Sequence, residues 1–315
     1  MVKGQRAIQS LRENFDNPPW WRSVVNAEIN IPIQRRLRPP KSGISIPEAD
    51  WDNLIVLDGC REDLFRETVD VTRFTEYRSA TSRGSQTEEW CEYNFNEKYP
   101  DLVYITGNPI PSRSLPGPVH SLEDVWRTHF DPDLGTVPPE AVTNAALRAY
   151  DKYPNKRILI HYMQPHYPFI NNPEFQFISW SEGSEVGKKA RHEAHHIWDA
   201  VESGIVEFQE AWRAYQGNLE VVLESVWDLL EELPGKTVIT ADHGNAIGER
   251  SFPIPVKTYG HPRGLRLSSL VRVPWGVRED ERRKIIPGEA TDEATATETM
   301  SNVKSKLAAL GYVEE

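Results

Sequence analysis

Cysteine and long apolar runs are both scarce in the sequence, and each shortage excludes a class of protein. Only two of the 315 residues are cysteine, Cys60 and Cys91, which excludes the disulfide framework typical of small secreted domains. No run approaches the roughly 18 apolar residues of a transmembrane helix, and residues 1–17 lack the apolar stretch of a secretory signal peptide. We therefore expect reduced thiols and a soluble, cytoplasmic protein.

Positive charge is also in short supply, since 47 acidic residues face 36 basic ones and the formal net charge is -11. Nucleic-acid sites favour basic surfaces, so we expect no nucleic-acid partner. An anionic substrate would be repelled by the chain as a whole and would need local attraction from a metal ion, arginine or histidine. The same acidity is typical of salt-adapted surfaces and of ordinary cytosolic proteins.

The chain is expected to divide near residue 50. Residues 1–50 contain a Pro-Pro-Trp-Trp sequence at Pro18–Trp21 and an arginine-rich connector at Arg35–Pro40, which predict a short N-terminal appendage or linker. Residues 51–315 are long enough for one large α/β domain. We expect the tryptophan pair and the segment Ile29–Ile33 to pack on this domain. Contact with a membrane surface, given aromatics beside arginine, is the alternative.

Three short apolar runs have the composition of buried strands: Asn53–Leu57, Arg157–Met163 and Thr237–Ala241. Between them the apolar residues of Leu219–Leu233 recur with the period of a helix. Strands that alternate with helices predict an α/β fold with a mostly parallel central sheet and helices on both of its faces.

Polar residues follow these strands where a parallel sheet builds its sites. Asp58 follows the first run, His166 the second, and Asp242 and His243 the third. Carboxylate oxygen and imidazole nitrogen are suitable ligands for Zn²⁺ or Mn²⁺. An Asp after a strand often serves only to form a turn, but three such strand ends in one chain favour a functional site.

These strand ends belong to motifs that resemble the alkaline phosphatase–sulfatase superfamily, in particular its sulfatase-like branch. The resemblance implies an alkaline phosphatase-like fold and a metal-dependent hydrolase or transferase of phosphate or sulfate esters, phosphoglycerol-type transfer included. Its substrate would be a small-molecule, glycan-linked or lipid-linked ester. The motifs occur in the family's order and are Asn53–Asp63, His161–Phe169, Thr237–Gly244, Tyr259–His261, Arg272–Pro274 and Leu307–Tyr312.

The resemblance also implies a ligand set and a nucleophile. Asp58, Asp242 and His243 would hold the ion, and Thr87, which would share it, would be the nucleophile, with Ser85 as second choice. A threonine hydroxyl is a poor nucleophile until a divalent cation stabilises its alkoxide. The structural alternative for Thr87 is a helix N-cap.

Three further residues are candidates for the catalytic set. His166 would touch the transferred group or protonate the leaving oxygen, and His261 would do the same or ligate a second ion. Arg61 would clamp a tetrahedral anion with its planar fork. The alternative for Arg61 is a surface ion pair with Glu62 or Asp63.

Departures from the family pattern shape the cofactor prediction. Cys60 and Cys91 both lack the Cys-x-Pro-Ser-Arg context of sulfatases that oxidise a cysteine. Sulfatases of that type usually have an asparagine at the position of His243. The histidine favours Zn²⁺ or Mn²⁺ over Ca²⁺ or Mg²⁺, and hence phosphate over sulfate. Gln164 stands near the position of a second-metal aspartate, so a second ion is doubtful. We predict one divalent ion.

Two other functions remain open from the sequence. His192–His196 matches the H-E-x-x-H signature of zinc proteases, but the basic run Lys188–Arg191 before it indicates a solvated surface helix. A catalytically degenerate sulfatase-like protein that binds a partner or glycan is the second alternative. The presence of Asp58, Thr87 and the Asp242-His243 pair favours an enzyme.

Overall fold

A seven-stranded sheet is the centre of the computed structural model, which describes residues 14–175, 197–286 and 288. Its strand order is β2-β9-β6-β1-β5-β3-β4, and β7 and β8 form a separate antiparallel hairpin. The strands are β1 (Asn53–Leu57), β2 (Glu76–Thr81), β3 (Tyr99–Thr106), β4 (Val119–Asp124), β5 (Arg157–Tyr162), β6 (Thr237–Thr240), β7 (Ala246–Arg250), β8 (Lys257–Gly260) and β9 (Arg272–Arg278).

The pairing of the strands confirms a mostly parallel sheet. Strands β6, β1, β5, β3 and β4 are parallel neighbours, whereas β9 is antiparallel to β6 and to β2. Helices surround the sheet, as expected: α1 (Pro18–Val25), α2 (Ile31–Leu37), α3 (Glu62–Thr68), α4 (Thr87–Asn94), α5 (Pro111–Ser114), α6 (Val125–Thr128), α7 (Pro139–Lys152), α8 (Ile197–Glu202), α9 (Phe208–Glu232) and α10 (Ser268–Val271).

Burial follows the predicted sequence patterns. Every residue of β1 and β6 is buried, as central parallel strands require. The long helix α9 buries the predicted stripe, since Leu219, Val226 and Leu230 all lie in the main core. None of the helices in the described ranges is both long and apolar enough to cross a bilayer.

The N-terminal segment contacts the rest of the protein through buried amides and through Ile31. A π-helical turn, Asn26–Asn30, joins α1 to α2, and the Asn30 amide bonds Ser251 Oγ at 2.8 Å. The expected packing of Ile29–Ile33 is confirmed at Ile31, which packs on the buried cluster of Leu265 and Leu270. Trp21, Ile29 and Ile33 are exposed instead, and buried amides make the other contacts.

Two predicted features lie outside the described residues. One is the H-E-x-x-H stretch at His192–His196. The other is the Leu307–Tyr312 motif.

Candidate metal centre

Adjacent ends of β1 and β6 bring the three predicted ligands together. Asp58 directly follows β1, Asp242 and His243 follow β6, and the two strands are parallel neighbours. One ligand atom from each of the three residues lies within 4.8 Å of the others, and all three side chains are buried. This is the compact, buried set of oxygen and nitrogen donors that a divalent cation requires.

The ring of His243 is oriented for coordination. Its Nδ1 lies 2.8 Å from the carbonyl oxygen of Gly244, which can only accept, so Nδ1 carries the proton. Nε2 is then an acceptor that faces carboxylate oxygens, 3.5 Å from Asp242 Oδ2 and 3.7 Å from Asp58 Oδ1. A histidine fixed by a backbone carbonyl in this way presents its lone pair to a metal.

Within the described part of the chain, Asp58 Oδ1 is buried and has no hydrogen-bond partner. Burial disfavours the charged form of Asp58, but His161, His166 and His243 outweigh it and lower the pKa of this carboxyl group. An ionised carboxylate beside a second carboxylate and an imidazole lone pair is a concentration of acceptors. A bound cation fits this set because it would satisfy the orphaned oxygen.

Thr87 lies in the same cluster. Its Oγ1 donates to Asp242 Oδ2 at 2.7 Å and lies 3.5 Å from His243 Nε2. Thr87 is the first residue of α4 and Gln86 is the N-cap, so the alternative of Thr87 as an N-cap is wrong. The hydroxyl faces the carboxylate of another strand end instead of the backbone of its own helix.

Ser85 has different partners. Its Oγ bonds Glu89 Oε2 at 2.8 Å, lies 3.0 Å from the Pro262 carbonyl oxygen and accepts from Gly264 N–H at 2.8 Å. These bonds hold the loop before α4 to the loop after His261. Ser85 is thereby engaged in structural contacts, which favours Thr87 as the hydroxyl of the site.

His166 and His261 form a pair of rings beside the ligands. The Nδ1 of His166 donates to the Tyr167 carbonyl oxygen at 2.6 Å, and its Nε2 lies 3.1 Å from His261 Nε2. The His261 ring also contacts the His243 ring, with centroids 4.7 Å apart. Two facing ring nitrogens at this distance share one proton, so the pair can hold or deliver a proton there.

Arg61 was predicted to clamp an anion, but its guanidinium already has several partners within the protein. Its guanidinium is buried, forms a two-bond pair with Asp63, and donates to Glu249 and to the Asn245 carbonyl oxygen. The ring of Trp212 lies 5.4 Å below it. The predicted ion pair with Asp63 is thus present, with the Arg61 side chain buried and the Asp63 side chain half exposed, and the clamp role stays a prediction.

Asn108 and His161 are two residues of the site that the sequence did not indicate. The Asn108 amide donates to Asp58 Oδ2, and His161 Nε2 lies 3.5 Å from the same oxygen. His161 Nδ1 lies 2.8 Å from the hydroxyl oxygen of Tyr104. Asn108 follows β3, so its place after a strand was the available signal; His161 lies inside β5 and gave none.

The loop of Gly59 explains how Asp58 and Asp242 are held. Gly59 has a φ of +64°, a left-handed conformation that favours glycine, and its N–H donates to Asp242 Oδ1 at 3.0 Å. An added Cβ would lie 3.1 Å from the Asn245 amide nitrogen. A side chain at this position would be strained and crowded against the site.

Gln164 and the cysteines bear on the predicted cofactor chemistry. The Gln164 amide donates to the Val137 carbonyl oxygen at 3.0 Å, so it serves the fold at the position where a second-metal aspartate was considered. Cys60 and Cys91 are free and buried, and burial raises the pKa of both thiols well above the ordinary value. Buried thiols of this kind are unreactive.

Glu89 connects the loop before Thr87 to the N-terminal segment. Its buried carboxylate accepts from Ser85 N–H at 2.9 Å and pairs with Arg35 of α2. Burial opposes its ionisation, but the Ser85 bonds and the Arg35 charge outweigh burial and lower the pKa of Glu89. The loop before Thr87 is therefore anchored by a charged group.

We predict that Glu89→Gln destabilises the protein by about 1–3 kcal/mol at neutral pH, because the amide NH₂ would face Arg35 or the Ser85 N–H. The wild-type advantage is complete above the ordinary pKa of 4.5 and is lost as pH falls through the lowered folded-state pKa. Urea unfolding at several pH values measures this. Glu88→Gln, one residue away, removes only a half-exposed ion pair with Arg263 and should cost less than about 0.5 kcal/mol; equal costs for the two variants would contradict the prediction.

No protein-family model matches the chain, and no curated protein matches it. Solved structures do match. The integral membrane lipooligosaccharide phosphoethanolamine transferase A from Neisseria meningitidis has a TM-score of 0.43 and 12% identity over 89% of this chain and 59% of that one. The lipoteichoic acid synthase LtaP from Listeria monocytogenes has a TM-score of 0.41 and 10% identity, over 81% of this chain and 72% of that one.

A 2-O GAG sulfatase matches with a TM-score of 0.38 and 12% identity, over 74% of this chain and 65% of that one. This chain spans less than two thirds of the Neisseria transferase and of the sulfatase. The TM-scores of all three matches are below 0.5, and their identities are 10–12%. Likeness at this level does not establish an activity, which has to be argued from the residues of the site.

Proposed function

We propose that the protein is a metal-dependent hydrolase or transferase of phosphate esters, with Thr87 as nucleophile. One observation carries the proposal. The Thr87 hydroxyl donates to Asp242 at 2.7 Å inside a buried cluster of three metal-ligating side chains, in which one carboxylate oxygen of Asp58 has no hydrogen-bond partner among the described residues. A site with a hydroxyl and a place for a cation fits nucleophilic catalysis.

The ligands of the ion would be Asp58, Asp242 and His243, with Thr87 Oγ1 alongside. When bound, a Zn²⁺ or Mn²⁺ ion supplies the positive charge that stabilises the threonine alkoxide and the oxygens of the transferred group. Asp242 Oδ2 accepts the hydrogen bond of the hydroxyl and orients it for attack. The ordered loop at Ser85 and Glu89 keeps the start of α4 in place.

Thr87, Asp242 and the His166–His261 pair then each take part in the transfer. A bond forms from Thr87 Oγ1 to phosphorus while the bond from phosphorus to the ester oxygen breaks, and the hydroxyl proton leaves through Asp242. The His166–His261 pair, with nitrogens 3.1 Å apart, supplies a proton to the leaving oxygen. Water or an acceptor alcohol then cleaves the threonine ester, which gives hydrolysis or transfer respectively.

Phosphate is preferred to sulfate in this proposal because of the ligand set. The His243 nitrogen favours Zn²⁺ or Mn²⁺ over Ca²⁺, and neither Cys60 nor Cys91 is a candidate for conversion to formylglycine. The substrate class is a small-molecule, glycan-linked or lipid-linked ester. A cytoplasmic location and the absence of a nucleic-acid partner also stay predictions.

The test of the function is a panel of p-nitrophenyl phosphate, bis-p-nitrophenyl phosphate and p-nitrophenyl sulfate. The purified full chain is assayed after removal of metals and after return of Zn²⁺, Mn²⁺, Mg²⁺ or Ca²⁺ singly. We expect phosphate ester cleavage with Zn²⁺ or Mn²⁺. Metal binding without turnover on any ester would instead support the degenerate binding protein, and an absence of metal binding would overturn the proposal.

A change of ligand should change the metal preference. We predict that His243→Asn weakens Zn²⁺ binding by about 10-fold or more relative to Ca²⁺, because an amide oxygen replaces an imidazole nitrogen. Metal competition measured by isothermal titration calorimetry gives the ratio. His120→Asn is the matched control, because His120 lies in β4, the strand at the edge of the sheet. An unchanged Zn²⁺ to Ca²⁺ ratio in His243→Asn would show that the ligand set is wrong.

A further inference from the structure

We propose that the N-terminal helical segment Pro18–Leu37 is a docking surface for an anionic lipid membrane. The segment is continuous, formed by α1, the π-helical turn Asn26–Asn30 and α2. It buries three amides and partly buries Ile31, but several of its exposed side chains are apolar, whereas an ordinary surface helix exposes mainly polar ones. Exposed apolar side chains that recur along a helix favour an apolar partner.

The inner face of the segment is polar and firmly bonded. Asn26, Asn30 and Gln34 recur every four residues and are all buried. Asn30 donates to Ser251 and to the Ile254 carbonyl oxygen, and its own carbonyl oxygen accepts from Ile254 N–H at 2.9 Å. Gln34 donates to a carbonyl oxygen at 2.6 Å and accepts from a backbone N–H at 2.7 Å. These bonds fix which face of the segment points outward.

A row of exposed apolar side chains runs along the segment with the same four-residue spacing. Ile29, Ile33 and Leu37 are 41%, 39% and 65% exposed, and Trp21 is 37% exposed. Of the eight large apolar side chains exposed in the described part of the chain, five lie at positions 15–37, so the apolar surface is concentrated here. Exposed Ile254, which adjoins the segment through Asn30, extends this surface.

The charge of the segment favours an anionic lipid membrane as the partner of this surface. Positions 14–41 carry five basic and two acidic residues, and two of the basic ones, Arg22 and Arg35, form ion pairs with Glu202 and Glu89. Arg36, Arg38 and Lys41 are exposed at the end that carries Leu37, while the exposed carboxylates are those of Asp16 and Glu28. Tryptophan and apolar side chains beside arginine and lysine are typical of helices that lie in the interface of an anionic bilayer.

The same segment contacts the loops of the candidate site. Arg35 pairs with Glu89, which binds Ser85, and Gln34 accepts from the N–H of Arg266 in the loop that follows His261. A membrane bound at the outer face would therefore lie against the segment that supports the catalytic loops. On the proposed function, this placement suits a lipid-linked phosphate ester; the membrane binding itself does not depend on that function.

The experiment is flotation of the full chain with vesicles. We expect the wild-type protein to float with vesicles of equal parts phosphatidylglycerol and phosphatidylcholine, and to bind less to phosphatidylcholine alone or at high salt. The triple variant Ile29→Asn, Ile33→Asn, Leu37→Asn should lose about 10-fold or more in vesicle binding. Ile286→Asn is the control, because Ile286 is 44% exposed but lies outside the segment. This variant should bind vesicles as the wild type does.

A second variant separates charge from apolar contact. Arg36→Gln with Lys41→Gln should lose binding to the anionic vesicles while leaving urea unfolding unchanged. Equal flotation of the wild type and the triple variant, or no flotation of the wild type, overturns the proposal. Dimerisation of the wild type in size-exclusion chromatography, abolished by the triple variant and without vesicle binding, would assign the face to a second copy of this chain. No assay here requires turnover, so a failure is distinct from a failure of the proposed function.

Discussion

Thr87→Ala is expected to lower kcat on an aryl phosphate by about 10³-fold or more while the protein stays folded. The reason is that the variant removes the hydroxyl that donates to Asp242 at 2.7 Å beside the ligand cluster. Alanine is well tolerated in the first turn of α4, and the lost hydrogen bond costs only about 1 kcal/mol of stability. Steady-state kinetics and urea unfolding measure the two quantities.

Two controls sharpen this test. Thr87→Ser keeps a hydroxyl on the same carbon and should retain activity within about 10-fold of the wild type. Ser85→Ala should reduce stability through its bonds to Glu89 and Gly264 but should retain turnover. Near-wild-type activity of Thr87→Ala, together with loss of activity in Ser85→Ala, would make Ser85 the nucleophile.

Asp242→Asn is expected to lower metal affinity and kcat, each by about 10²-fold or more. The amide can preserve the geometry, because its oxygen can accept from Gly59 N–H and from His243 N–H, the two bonds that Asp242 Oδ1 makes. The negative charge beside the ion is lost, and the Thr87 hydroxyl then meets an amide NH₂ instead of a carboxylate oxygen. The fold therefore survives and the chemistry does not.

The measurements are metal content by mass spectrometry of the dialysed protein and turnover with saturating Zn²⁺ or Mn²⁺. Asp151→Asn, at the exposed end of α7, is the matched control and should leave both unchanged. Retention of metal and turnover in Asp242→Asn would remove this residue from the ligand set. A change of stability alone would assign Asp242 to the fold rather than to catalysis.

The sheet and the ligand positions were predictable because they depend on local patterns. Only a buried strand suits the apolar run Asn53–Leu57, and it is confirmed as β1. Only a helix packed on the core suits the stripe of Leu219–Leu233, and it is confirmed as part of α9. Polar residues after parallel strands must meet at one edge of the sheet, which placed Asp58 beside Asp242. These inferences need no knowledge of distant contacts.

Partners set by distant contacts were not predictable. His161 is buried inside β5 beside Asp58, yet a histidine within an apolar run gives no sign of which strand end it faces. Arg61 had two open alternatives because its partner Glu249 is far away in the sequence. The inward amides Asn26 and Asn30 were missed because apolar residues were expected to make the contact.

The Gly59 N–H bond to the Asp242 carboxylate joins positions 183 residues apart, and this separation has a consequence for folding. Chains whose central strands pair over such distances fold slowly, because the entropy of closing a long loop must be overcome first. The complete ligand set exists only after β6 has docked beside β1. Zinc or manganese would therefore bind the folded protein and not its folding intermediates. Metal binding would then slow unfolding but would not speed folding.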